Sequence, residues 1–217
     1  MSAAPHTLRI GLLEDQPLFR EMLQHLLSLV PGFSLQVAST VAQTRSEWNA
    51  ERLDVALLDY ELPDGDGLEV GRALQQANPS LGVVLLSAVD RSVVLLDLEP
   101  HEAERWSFLS KNSSVSTSML IRALRASAEG RCVIDPVVVA ARKARAGSRV
   151  AALSERQGQV LTLIAEGLTN QAIAEQLGIA VNSVNNHVNS MYNALGLNES
   201  ARNPRVSAVR LFLAETV

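Results

Sequence analysis

Five side chains in this 217-residue sequence are of types suited to metal and phosphoryl chemistry: the acid pair Glu14 and Asp15, the lone acid Asp59, Ser87 and Lys111. Each closes or directly follows a short apolar run. Leu8 to Leu13 ends at Glu14 and Asp15, Val55 to Leu58 at Asp59, Gly82 to Leu86 at Ser87, and Trp106 to Ser110 at Lys111. Short apolar runs bounded by turn residues read as buried strands of a parallel sheet. Residues at the carboxyl ends of such strands converge on one crevice, where open α/β sheets place their ligands. Three carboxylates in one crevice repel one another and call for a divalent cation, and an all-oxygen ligand set suits Mg²⁺. A hydroxyl and an ammonium beside them suit a phosphoryl group on Asp59, with Lys111 pairing one phosphate oxygen and Ser87 bonding another. Taken singly, each residue has an ordinary reading: a strand-end cap, a turn serine, a paired surface lysine, acids in a solvated loop. Their joint placement at strand ends favours the chemical one.

The elements that position these residues alternate in type. Helical spacing follows Pro17, through Leu18, Met22, Leu26 and Leu29. Ser34 to Ser39 alternates like a strand, and Val41 to Ala50 reads as a helix. Further helices are expected over Leu68 to Gln76 and Val115 to Ala128, the last with Leu120, Ile121 and Leu124 toward the sheet. Pro63, Gly65 and Gly67 punctuate the loop after Asp59 and keep the following helix clear of it. Strands alternating with helices predict a five-stranded, doubly wound parallel sheet of flavodoxin-like α/β class.

The formal net charge of −4 conceals an asymmetry: residues 1–128 balance to −6 and residues 129–217 to +2. That difference suggests two domains with different partners. The boundaries expected are 1–128, a partly helical linker over 129–150, and 151–217. The sole cysteine, Cys132, rules out an internal disulfide framework and fits a reducing cytoplasm. Met1 to Thr7 has no basic or long apolar stretch typical of a signal peptide, and no run approaches the length of a membrane span.

The second half reads as all helix. A linker helix starts near Pro136, and Gly147 and Ser148 loosen the chain after it. Arg142, Lys143, Arg145 and Arg149 are expected in a solvated tether, with contact to DNA phosphates as the alternative. Ser154 with Gln157 forms a capping-box pattern for a helix running to about Glu166. Thr169 caps a second, Asn170 to Leu177; a third spans about Asn182 to Leu195; a fourth spans Pro204 to Ala214. The second and third, joined across Gly178, Ile179 and Ala180, make a helix-turn-helix. In the third, Val184, Val188, Met191 and Leu195 share a core face, while Asn182, Asn185, Asn186, Asn189 and Asn193 occupy the other side. Asparagine is a mediocre helix former, and its amide can bond adenine N6 and N7 in the major groove, so the stripe reads as direct base readout or, more blandly, as a solvated face. The expected DNA-contacting set is Thr169, Asn170, Asn182, Ser183, Asn185, Asn186 and Asn189.

Residues 8–128 resemble the receiver domain of two-component response regulators through E-D at 14–15, L-L-D-Y-E-L-P-D-G-D-G at 57–67, L-L-S-A at 85–88 and F-L-S-K at 108–111. Residues 153–197 resemble the helix-turn-helix domain of LuxR/NarL-type regulators through L-S-E-R-Q at 153–157, E-G-L-T-N-Q-A-I-A at 166–174 and L-G-I-A-V-N-S-V-N-N-H-V at 177–188. The resemblance implies that Asp59 accepts a phosphoryl group from a cognate histidine kinase. It implies that Glu14, Asp15, Asp59 and the backbone carbonyl of Glu61 bind Mg²⁺. Ser87 and Lys111 then close on the phosphoryl group, with Phe108 as an aromatic switch. The implied output is a cytoplasmic transcription regulator of promoter DNA, without membrane association. It would be a homodimer when phosphorylated or DNA-bound, paired through the fourth helix of the second domain, and no enzyme beyond its own phosphoryl transfer and dephosphorylation. Three departures stand out. The stretch from Ser87 to Lys111 is long and holds Pro100, Glu102, Glu104 and Trp106, with its helix expected to end before Pro100. Ala180 stands where the family has a capping serine, so the recognition helix is expected to slip to Asn182 or Ser183. Asn185 stands where the family has lysine, which leaves that helix no formal positive charge. The long stretch keeps open a regulator under constitutive, ligand or partner control, and a phosphohydrolase using Asp59 as nucleophile is a more distant alternative.

Overall fold

The computed structural model describes residues 7–111, 116–197 and 203–217. They fall into two compact units, one built from Met1–Val89 with Arg105–Arg131 and the other from Asp90–Glu104 with Cys132–Val217.

The first unit is an α/β layer structure. Its strands are β1 (Leu8–Leu13), β2 (Phe33–Ala38), β3 (Val55–Asp59), β4 (Gly82–Ser87) and β5 (Trp106–Ser110), in the order β2-β1-β3-β4-β5. All pairings within this five-stranded sheet are parallel. The helices are α1 (Pro17–Ser28), α2 (Val41–Glu47), α3 (Gly67–Ala77) and α5 (Thr117–Ala128). With helices on the sheet faces, the central strands β3 and β4 and the edge strand β5 have no solvent-facing side, which is why all three are buried along their whole length and read as largely apolar runs. The register sets Leu13 beside Leu58, Asp59 beside Leu86 and Ser87 beside Ser110. The carboxyl ends of β1, β3, β4 and β5 thus lie side by side.

Several expectations are corrected. In α1 the buried side chains are Leu23 and Leu27, whereas Leu18, Met22 and Leu29 are exposed, Leu18 by 82%. Spacing fixed the period of the helix and not which stripe faces the sheet. Helix α2 stops at Glu47, and a separate 3₁₀ turn, Ala50–Arg52, follows. In α5, Leu120 and Leu124 are buried but Ile121 is only half-buried, and Ala123 and Ser127 complete the sheet-facing stripe. The expected start of α5 at Val115 lies outside the described residues. Gly67 does the reverse of holding α3 clear: a Cβ there would lie 2.2 Å from the Asp59 carbonyl oxygen. Its lack of a side chain lets α3 start against the Asp59 backbone.

The second unit contains a 3₁₀ turn at Ser92–Leu96, α4 (Pro100–Ala103), α6 (Pro136–Ala141), α7 (Glu155–Ala165), α8 (Asn170–Leu177), α9 (Val181–Leu195) and α10 (Pro204–Glu215). Pro100 opens α4 instead of following a helix, since its fixed φ and missing N–H suit a first turn; Glu99 and Glu102 add a capping box. Helix α7 carries the expected Ser154/Gln157 box. Gly178, at φ +64°, ends α8 in the left-handed conformation that favours glycine. Helix α9 does not slip: it begins at Val181 with Ala180 as an N-cap that offers no side-chain bond.

The basic stretch before α7 is tied down at Arg142, while Lys143, Arg145 and Arg149 are exposed. The Arg142 side chain is only 7% exposed. Its Nη2 donates to Asp90 Oδ2 at 3.1 Å and Ser92 Oγ at 3.0 Å, and its Nη1 donates to the Leu213 carbonyl at 3.3 Å. Lys143 pairs through its backbone with Val217, and Arg149 pairs through its guanidinium with Glu215. Arg210 of α10 donates to the carbonyls of Leu98 at 2.5 Å and Leu96 at 3.1 Å. The unusual segment between Ser87 and Lys111 is thus pinned by arginines to α10 and to the end of the chain.

Candidate functional site

At the carboxyl edge of the sheet, Glu14 follows β1, Asp59 ends β3 and Lys111 follows β5. Carboxylate oxygens of Glu14, Asp15 and Asp59 lie within 4.8 Å of one another. Glu14 is fully buried and Asp59 nearly so. Lys111 Nζ lies 2.7 Å from Glu14 Oε2 and 2.8 Å from Asp59 Oδ2, so one ammonium bridges the two most buried acids. That nitrogen also stands 5.0 Å from the centre of the Phe19 ring, within cation–π range. Asp59 Oδ1 accepts from the Glu61 backbone N–H at 3.3 Å. Burial raises the pKa of both Glu14 and Asp59, against the opposing pull of Lys111.

Lys111 neutralises only part of this charge. Asp15 Oδ1 is buried and has no hydrogen-bond partner. An acidic, all-oxygen pocket with one unsatisfied carboxylate oxygen fits a hard divalent cation. The sole cysteine is no competing soft ligand, since burial pushes the Cys132 thiol up to about 12. Ser87 is buried at the end of β4, its Oγ accepting from the Val89 backbone N–H at 3.3 Å and its carbonyl from the Lys111 N–H at 2.7 Å. Phe108 is fully buried in β5.

Sequence reasoning missed two supports of this pocket. Arg20 Nη1 donates to the carbonyls of Glu14 at 2.8 Å and Asp15 at 2.9 Å, which fixes the turn that carries the acid pair. Gly67 sets the approach of α3 to Asp59. The i, i+6 spacing of Glu14 and Arg20 has no motif to announce it, whereas the glycine was visible with its role inverted.

In the second unit, Val184, Val188, Met191 and Leu195 of α9 are buried, and Asn182, Asn185, Asn186, Asn189 and Asn193 are exposed. Ser183 and His187 are half-buried at the boundary between the faces. The Thr169 hydroxyl is used as the α8 cap, accepting from the Ala172 N–H at 3.3 Å. Asn170, in the first turn of α8, donates to Asn185 Oδ1 at 2.9 Å. The structure therefore brings the amides of α8 and α9 together on one surface.

Residues 10–125 match the family model described as response regulator receiver domain, and residues 151–204 match that of bacterial regulatory proteins of the luxR family. A probable transcriptional regulatory protein NarL of Mycobacterium tuberculosis is 32% identical over 202 residues, covering 91% of this chain and 92% of that protein. The chain belongs to the NarL-type response regulators. The nitrate/nitrite response regulator protein NarP of Escherichia coli is 29% identical over 213 residues, covering 95% of both chains. Among solved structures, the signal receiver domain of an HD domain-containing protein from Pseudomonas fluorescens Pf-5 matches with a TM-score of 0.50 at 22% identity. It covers 59% of this chain and 92% of that one, a likeness of fold. This response regulator thus joins a receiver to a LuxR-type DNA-binding output. Among its described residues no helix is long and apolar enough to cross a membrane.

Proposed function

We propose that this response regulator is a cytoplasmic transcription factor switched by phosphorylation of Asp59. The observation that carries the reading is the Lys111 bridge between Glu14 and Asp59 beside the unsatisfied Asp15 oxygen. Glu14, Asp15, Asp59 and the Glu61 carbonyl would hold Mg²⁺, which when bound draws charge from the phosphoryl oxygens. Asp59 Oδ attacks the phosphorus of a phosphohistidine on the cognate kinase; the P–N bond breaks, the acyl phosphate forms, and the imidazole takes a proton from solvent. Lys111 gives up its ion pair with Asp59 and pairs with a phosphoryl oxygen instead. Ser87 Oγ turns to another, releasing the Val89 N–H, and the buried ring of Phe108 follows the repacked edge.

The next residue in the chain is Asp90, where the arginine-pinned segment starts. Release of Val89 loosens the hold of Asp90 and Ser92 on Arg142, and of Leu96 and Leu98 on Arg210. Helix α10 is then free to pair with a second copy, and two DNA-binding domains engage a promoter through Thr169, Asn170, Asn182, Ser183, Asn185, Asn186 and Asn189. A recognition helix with no formal charge neutralises few phosphates, so tight binding needs both copies.

Incubation with acetyl phosphate and Mg²⁺, followed by intact-mass analysis, tests the chemistry. The regulator should gain one phosphoryl group, and Asp59→Asn should gain none. Equal labelling of Asp59→Asn would remove Asp59 from its role. Rapid multiple turnover of a phosphate ester would point instead to a phosphohydrolase.

A further inference from the structure

Three side chains of the second unit form a hydrogen-bonded line that ends on the exposed asparagine face. Arg205, in the first turn of α10, donates from Nη2 to the Leu168 carbonyl and from Nη1 to Asn170 Oδ1 at 3.2 Å. It also bonds the Tyr192 side chain. Asn170 Nδ2 in turn donates to Asn185 Oδ1 at 2.9 Å. The polarity of this line is set at its arginine end. A guanidinium carries only donors and keeps its charge at any pH a protein meets. Asn170 must therefore present its oxygen to Arg205, and its NH₂ then faces Asn185. Asn185 must accept there, and its own NH₂ is left to point outward. An isolated asparagine amide can turn over and offer either edge, but this one cannot turn without setting NH₂ against NH₂.

We infer that Arg205 and Asn170 are positioning residues that lock Asn185 as a donor toward DNA, so that this position discriminates against cytosine on the contacted strand. Guanine, adenine and thymine each offer an acceptor in the major groove (N7, N7 and O4), whereas cytosine offers there only the N4 amino donor. The inference rests on the DNA-binding reading above. It assigns a role to the position where a lysine would have offered only a mobile cation. The relay also explains why Asn170, outside the recognition helix, belongs to the same surface.

The experiment is selection of duplexes from a random-sequence pool by the full chain with Mg²⁺ and beryllofluoride, a mimic of the aspartyl phosphate. Wild type is compared with Asn185→Asp, Asn170→Asp and Asn170→Ala. The position read by Asn185 is the one that excludes cytosine in wild type and favours it over guanine and thymine in Asn185→Asp, because a carboxylate only accepts. The decisive variant is Asn170→Asp. Its new carboxylate accepts from Arg205 and cannot donate to Asn185, so the Asn185 amide turns over and presents oxygen outward. Guanine over cytosine, enriched about tenfold in wild type, should reverse at that position. In Asn170→Ala the preference should flatten. A merely structural Asn170 would alter affinity uniformly and leave the preferred base unchanged. An unchanged preference in Asn170→Asp overturns the relay while the DNA-binding reading stands. Absence of any enriched sequence with wild type overturns both.

Discussion

Lys111 holds together two carboxylates that burial would otherwise set against each other. Removing the ammonium leaves Glu14 and Asp59 as uncompensated buried charges. Lys111→Ala should therefore lower the stability of the metal-free protein by about 3 kcal/mol in denaturant unfolding, and added Mg²⁺ should recover part of the loss. The pH dependence follows from the same burial. Both acids have folded pKa values above their unfolded ones. Such groups contribute stability fully below the unfolded carboxylate range, and that contribution is lost as pH rises through the folded pKa values. The metal-free protein should thus gain from this pocket as pH falls from neutral toward the ordinary carboxylate range, and Asp59→Asn should gain less. Mg²⁺ affinity should run the other way and weaken on acidification earlier than for an exposed carboxylate site, because the proton competes for the same oxygens. Thermal melts and metal titrations across that range check both slopes.

At the scale of elements, the start of α9 and the start of α3 behave in opposite ways. Ala180 leaves α9 without a side-chain cap, yet the helix starts at Val181. Packing of Val184 and Val188 in the core holds the first turn where local capping does not. Restoring a cap with Ala180→Ser should stabilise the regulator by about 1 kcal/mol, read as a raised unfolding midpoint. Gly67→Ala is the converse case: its Cβ would meet the Asp59 carbonyl, a backbone atom that cannot swing aside. It should cost about 2 kcal/mol and impair phosphorylation of Asp59 by shifting the acceptor. Strands β3 and β4 were legible because burial on both faces leaves only apolar residues between turns, and β5 because Ser107 alone interrupts its apolar run. The convergence of Glu14, Asp59 and Lys111 was legible for the same reason, since a parallel sheet aligns its carboxyl ends. The buried face of α1 was not, because Leu18, Met22 and Leu29 keep the same period as Leu23 and Leu27. The fate of Arg142 and Arg210 was hidden too: local composition reads as solvated charge, and their hydroxyl, carboxylate and carbonyl partners lie 50 to 114 residues away.

For the molecule as a whole, the segment that starts at Asp90 is proposed to link the phosphoryl pocket to the output. It begins three residues after Ser87 and is held by Arg142 and Arg210 against the helix proposed to pair two copies. If that hold restrains α10, Arg210→Ala should raise the DNA affinity of the unphosphorylated regulator by about tenfold, within the usual range of allosteric coupling. Gel-shift titration checks it, with light scattering to show whether dimer appears at the same time. The central claim is that modification of Asp59 controls DNA binding. Its most direct test is the affinity of the full chain for a duplex selected from a random pool, measured with and without beryllofluoride at constant Mg²⁺ and salt. The account predicts at least tenfold tighter binding with beryllofluoride for wild type and no change for Asp59→Asn. Equal wild-type affinity in both conditions would contradict it and leave a regulator whose DNA binding ignores its receiver pocket.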